Sequence, residues 1–164
     1  MKAKNKTKTS DYNLNEVVVL FNNLLADEYV LYTKIQHVGG DMDRQNFYGL
    51  HTVFGGQPIT LYAIMSDVTD QAYALGNFAL GAMEDFTSIT RLKNTGGNIT
   101  DRKQKIRILL IRYGDIIRLL KKNIPMVTER YKVLGTSSFI IDLIEKHEKM
   151  AGLLRNAYPD IDSY

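Results

Sequence analysis

Apolar residues that return every three or four positions over four long stretches restrict what this chain can fold into more than any other feature. Leu14, Val17, Val18, Phe21, Leu24, Leu25, Tyr32 and Ile35 form the first stretch. This spacing gathers side chains on one face of an α-helix. Asn13 or Asn15 is the expected cap and Gly39-Gly40 the expected end. The second pattern runs Phe47, Leu50, Phe54, Leu61, Ile64, Met65, Val68, Ala72, Leu75 and stops at Gly76. Gly55, Gly56 and Pro58 fall in its middle. Pro58 has no amide hydrogen and its ring crowds the Phe54 carbonyl, so a kink or break is predicted, at about 3 kcal/mol.

A short amphipathic piece over Met83 to Ile89 comes next, then a Gly96-Gly97-Asn98 loop. Thr100 and Asp101 are candidate caps for a third long helix carrying Ile106, Leu109, Leu110, Tyr113, Ile116, Ile117 and Leu120, with its last part kinked by Pro125. A fourth helix follows Gly135-Thr136, carries Phe139, Ile140, Leu143, Ile144, His147, Met150 and Leu154, and stops near Pro159. No stretch alternates with period two. The expected fold is all-α: a four-helix bundle over residues 11–160, with a long crossover carrying a short extra helix between helices two and three.

Charge divides this domain from its start. Of 21 basic residues, Lys2, Lys4, Lys6 and Lys8 lie in the first ten positions with no acid beside them, which leaves 17 to balance 18 acids. Residues 1–10 have almost nothing apolar to bury and are expected to be an unstructured basic tail. A signal peptide would need an apolar run behind those lysines, and none follows before Val17. No run approaches the roughly 18 apolar residues of a membrane span. The expectation is a cytoplasmic protein without a membrane partner. Cys is absent, which removes disulfides and thiolate chemistry, and Trp is absent although Tyr numbers 10.

Helical bundles can carry di-iron centres built on Glu-x-x-His pairs. Here the residues three before His37, His51 and His147 are Lys34, Tyr48 and Ile144, so no such pair exists. Phosphate-cradling glycine loops and nucleophile elbows are missing as well. The methionines sit at core spacing.

The stretch from Leu24 to Lys34, then Phe47-x-x-Leu50-His51, Leu75-Gly76, and Glu145-Lys146-His147-Glu148-Lys149-Met150-Ala151-x-x-Leu154-Arg155 resembles the Dps proteins, the DNA-binding miniferritins of starved bacterial cells. The likeness extends over residues 12 to 158 and includes the short extra helix. It implies a ferritin-like bundle that assembles into a hollow homo-oligomer, a dodecamer, which oxidises ferrous iron, stores it, and binds DNA through a basic tail. In this chain Lys2, Lys4, Lys6 and Lys8 are the expected nucleic-acid contacts, and a nucleoid-associated location is implied.

The ligand pattern that the resemblance implies is largely gone. Its first histidine falls on Gly39, beside Gly40 where the pattern has Trp. The second is present as His51. The acid four residues later is Gly55, the Asp fifteen later is Ser66, and the Glu nineteen later is Asp70; a further Trp falls on Gly152. The metal candidates are therefore His51 and Asp70. They are nineteen residues apart, about 28 Å along a straight helix, and could share iron only across a two-fold between subunits. His37, two residues before Gly39, should point away from that place, and Asp67 projects about 100° from Ser66. The Tyr131-to-Gly135 segment poorly matches the acidic pore lining of that family. His147, in a charged stretch, is expected to have a structural or surface role.

Three functions follow as expectations. The first is a DNA-binding and protecting cage subunit that sequesters iron under stress, with weak or absent ferroxidase activity. The second is a working ferroxidase that uses His51, Asp70 and waters, or acids elsewhere such as Glu28. The third is a metal-free shell or the partner of an active paralogue.

Overall fold

The computed structural model describes the backbone of residues 6–43, 48–75, 81–92, 101–130 and 134–161, and side chains over 15–40, 53–75, 81–92, 101–129 and 135–161. Its helices are α1 (Lys6–Asp43), α2 (Tyr48–Ala74), α3 (Met83–Ile89), α4 (Arg102–Pro125) and α5 (Leu134–Ala157), with a π-helical turn over Met126–Arg130. α1 packs along α2, α4 along α5, α1 against α4 and α2 against α5, which closes a four-helix ring; α3 lies on α1. This is the expected bundle, with the short crossover helix at the expected residues.

The apolar stripes meet in one core. Phe21, Leu24, Leu31 and Ile35 from α1 are buried with Leu61, Ile64 and Val68 from α2, Ile106, Leu109, Tyr113, Ile116 and Leu120 from α4, and Ile140, Leu143 and Leu154 from α5. Phe47 and Leu50, predicted for the same core, have side chains outside the described residues. Asp101 caps α4, its carboxylate accepting from the Gln104 amide at 3.0 Å.

Several boundaries differ from expectation. α1 begins at Lys6, inside the stretch expected to be an unstructured tail, and runs through Asn13 and Asn15, so neither caps it. It also continues past Gly39-Gly40. Gly39 of α1 lies close to Phe54 of α2: a Cβ there would stand 3.2 Å from the Phe54 Cβ. The glycine serves close packing and does not end the helix.

Pro58 does not break α2, which is continuous from Tyr48 to Ala74. Its turn is held from outside by the neighbouring Gln57. The Gln57 Nε2 donates to the Met150 carbonyl of α5 at 3.1 Å, and its Oε1 accepts from the Tyr113 hydroxyl of α4 at 3.0 Å. Pro125 stands where α4 passes into the π-helical turn. A ring that removes one helical hydrogen bond makes that change of pitch less unfavourable.

Candidate functional site

Two places could carry chemistry: the outward face of α2, where the iron ligands were expected, and a polar cluster inside the bundle. On α2, Gly55, Ile59, Tyr62, Ser66, Asp70 and Tyr73 follow one another at three- and four-residue steps and share one face. Gly55, Ser66 and Asp70 are exposed. Ile59 is 72% exposed, Tyr62 68% and Tyr73 54%. The face is thus apolar and aromatic, with one carboxylate. His51 falls in the same register, and its side chain lies outside the described residues. The register separates His51 and Asp70 by about 28 Å, so one chain cannot bring them together.

Asp67, the neighbouring acid, instead lies 3.4 Å from Lys146 of α5. His37 is exposed on α1. At Gly39 the Cβ of a histidine would stand 3.2 Å from the Phe54 Cβ, so Phe54 would have to give way slightly. One imidazole and one carboxylate for each shared site do not fit an iron centre, which ordinarily draws on more ligands. Among the described residues, no group of three or more His, Asp or Glu side chains could hold a metal. Lys2 and Lys4 lie outside the described residues; Lys6 and Lys8 lie on the first turns of α1, their side chains likewise outside.

Inside the bundle, each long helix contributes a polar group to one cluster: Glu28 from α1, Gln57 from α2, Tyr113 from α4 and His147 from α5. Glu28 and His147 are both fully buried, which removes the surface alternative for His147 and leaves the structural one. Its Nε2 lies 2.8 Å from the Glu28 Oε1, at ion-pair distance without the alignment of a good hydrogen bond. Its Nδ1 lies 2.7 Å from the Leu143 carbonyl, which only accepts, so Nδ1 carries a hydrogen. In a neutral ring Nε2 would then turn a lone pair on a carboxylate. The geometry calls for a proton between the two.

Burial opposes a charged imidazole. The Glu28 charge, contact with its carboxylate and the bond to the Leu143 carbonyl outweigh that penalty, and His147 is held above its usual 6.5. Tyr113 is pushed well above 10, first by burial and then by the Glu28 charge, so its hydroxyl remains a donor. Among the described residues, the Glu28 oxygens accept no well-aligned hydrogen bond, which makes the imidazolium the main compensation for this buried charge.

Glu28 belongs to a run of three residues with separate structural tasks. Asp27, also buried, accepts at Oδ1 from the Thr90 hydroxyl at 2.8 Å and the Arg91 amide at 2.7 Å. Its Oδ2 takes the Arg91 Nε at 2.9 Å and Nη2 at 2.7 Å. These bonds clamp the end of the crossover onto α1. Tyr29 stacks on Phe86 of α3 with ring centres 5.0 Å apart. The Asp27-Glu28-Tyr29 run therefore orders the crossover and the core.

No family model matches the chain. Two curated relatives, an uncharacterized low temperature-induced protein of Nostoc sp. and its homolog in Anabaena variabilis, are each 26% identical over 147 residues, covering 90% of this chain and 82% of the relative. The fold is that of a ferritin-like four-helix bundle. Within that class it is Dps-like. The Dps of Thermosynechococcus elongatus superposes with a TM-score of 0.79 at 17% identity over 90% of this chain and 93% of its own. A Dps protein of Vibrio cholerae, described as belonging to the ferritin-like diiron-carboxylate proteins, gives 0.79 at 19% over 90% and 91%. A Halobacterium salinarum dps-homologue gives 0.80 at 19% over 88% and 80%.

Proposed function

We propose that this chain is a subunit of a Dps-like homo-oligomeric shell, a dodecamer, that binds and shields DNA and sequesters iron, and whose ferroxidase activity is weak or absent. The observation that carries this reading is the outward face of α2. Where the resemblance implies an inter-subunit iron site, that face presents Gly55, Ile59, Tyr62 and Ser66, and of the ligand pattern only His51 and Asp70 remain.

A two-fold that sets His51 of one chain against Asp70 of its mate also sets Gly55 against Ser66 and Ile59 against Tyr62. The pairing is self-consistent, and no Lys or Arg lies anywhere on α2 to oppose it. Depletion of charge and enrichment in aromatic residues suit a protein interface. Iron is the cargo in this reading. A location at the nucleoid follows from the DNA partner.

The DNA part rests on Lys2, Lys4, Lys6 and Lys8. A four-charge arm binds phosphates weakly alone, and many copies on one shell act together. Electrophoretic mobility with duplex DNA tests it, the oligomer's mass being measured alongside. The expected result is a shift at low salt that weakens when residues 1–10 are deleted. A shift unchanged by the deletion, or absent at low salt, would overturn the arm's role.

A further inference from the structure

The near-neutral body conceals an uneven distribution of charge. α4 holds eight basic residues, Arg102, Lys103, Lys105, Arg107, Arg112, Arg118, Lys121 and Lys122, against one acid, Asp115. At 100° per residue, Lys103, Arg107, Arg118, Lys121 and Lys122 fall within one arc of about 100° that contains no acid. All five are exposed. The core-facing residues Ile106, Leu109, Tyr113, Ile116 and Leu120 occupy the other side of the helix, which turns the arc to solvent in the single chain.

Two of the five are partly neutralised: Arg118 pairs with Asp115 at 3.1 Å, and Lys121 with Glu148 of α5 at 2.6 Å. Among the described residues, Lys103, Arg107 and Lys122 have no ion-pair partner. Both pairs are themselves largely exposed and add little to hold the side chains in place.

We infer that this α4 stripe is a second, folded DNA-binding surface that grips the duplex phosphate backbone independently of the lysine arm. The inference rests on the DNA-binding reading above and adds a site to it. From Lys103 to Lys122 the stripe is nineteen residues, about 28 Å long. It is therefore a straight cationic rod as long as about eight base pairs, beside a polyanion with a charge every 1.7 Å or so of axis.

An ordinary solvated helix face mixes both signs of charge. A subunit interface concentrates apolar and aromatic groups and excludes lysine. The stripe does neither: Ile111 is its one exposed large apolar residue. Uniform positive charge without base-reading geometry points to phosphate contacts and to binding without sequence preference.

The test compares four full oligomers: the intact chain, the chain lacking residues 1–10, the variant with Lys103→Glu, Arg107→Glu and Lys122→Glu, and the combination. Anisotropy of a labelled duplex gives the slope of log affinity against log salt, and light scattering gives the mass. The chain without its arm is expected to retain salt-dependent binding. Adding the three substitutions should then lower the magnitude of the slope by roughly 0.9 for each phosphate no longer neutralised, nearly three in all.

If charge reversal disturbs folding, Lys103→Gln, Arg107→Gln and Lys122→Gln are measured instead, with the same expected fall in slope. Binding by the intact chain that vanishes with the arm alone would overturn the stripe and leave the DNA reading intact. No binding by the intact chain at low salt overturns both. A change of oligomer mass with an unchanged slope makes the stripe a subunit interface and overturns the inference.

Discussion

Glu28 and His147 form the most consequential pair of residues in the molecule, because both are fully buried and the His147 Nε2 lies 2.8 Å from the Glu28 Oε1. Removing one partner leaves an uncompensated buried group. Glu28→Gln or His147→Gln is expected to lower unfolding free energy by about 3–5 kcal/mol, read from urea midpoints. The pair also predicts a pH dependence. The folded-state pKa of His147 lies above the unfolded value near 6.5. Its contribution is complete below that value and is lost as pH rises through the folded pKa. Midpoints should fall as pH is raised from about 6.5, and His147→Gln should flatten that part of the profile. A wild-type midpoint that holds or rises over this window would contradict the pairing.

The register of both residues was legible. Glu28 sits among Leu24, Leu31 and Ile35, and His147 among Ile140, Leu143, Ile144 and Leu154, all on core stripes. The charged neighbours Glu145, Lys146, Glu148 and Lys149 concealed the position of His147, since composition in a window says less than period. That the two residues meet depends on α1 and α5 standing diagonally opposite in the ring, so that their side chains reach across the core, which no local pattern encodes.

At the level of elements, the apolar period placed all four long helices and the short α3, because amphipathic stripes are set by burial. Two expected breakers lie inside helices: α1 does not end at Gly39-Gly40, and α2 is not broken at Pro58. Helix α1 runs on through Gly39 and Gly40, and at Gly39 the close approach of Phe54 favours the missing side chain. Pro58 stays inside α2 because Gln57 ties that turn to α4 and α5. A proline in a helix interior costs up to about 3 kcal/mol, less what its rigidity withdraws from the unfolded chain. Pro58→Ala should therefore raise stability by about 1–2 kcal/mol with the oligomer unchanged, as a higher melting temperature would show. A lowered melting temperature would mean that the ring itself packs against a neighbour the fold needs. On α4, a near-balanced total for the chain hides a basic face that emerges only when charge is resolved by helical angle.

For the whole molecule, the fold is Dps-like, while three positions of the ligand pattern that the resemblance implies hold Gly39, Gly55 and Ser66. How much of the site could be read in advance follows from this: absent ligands are visible in sequence, but the exposed aromatic face that stands in their place required the structure. If two chains meet on α2, Tyr62→Glu should reduce the mass of the oligomer by placing a charge opposite apolar groups at the two-fold; an unchanged mass would place that interface elsewhere. The central claim, a shell subunit without a working inter-subunit ferroxidase site, is tested most directly by oxygen uptake when ferrous iron is added to the assembled oligomer. The account predicts a rate at or only slightly above buffer that does not depend on His51 or Asp70. A rate above buffer that falls with His51→Ala and Asp70→Ala would contradict it.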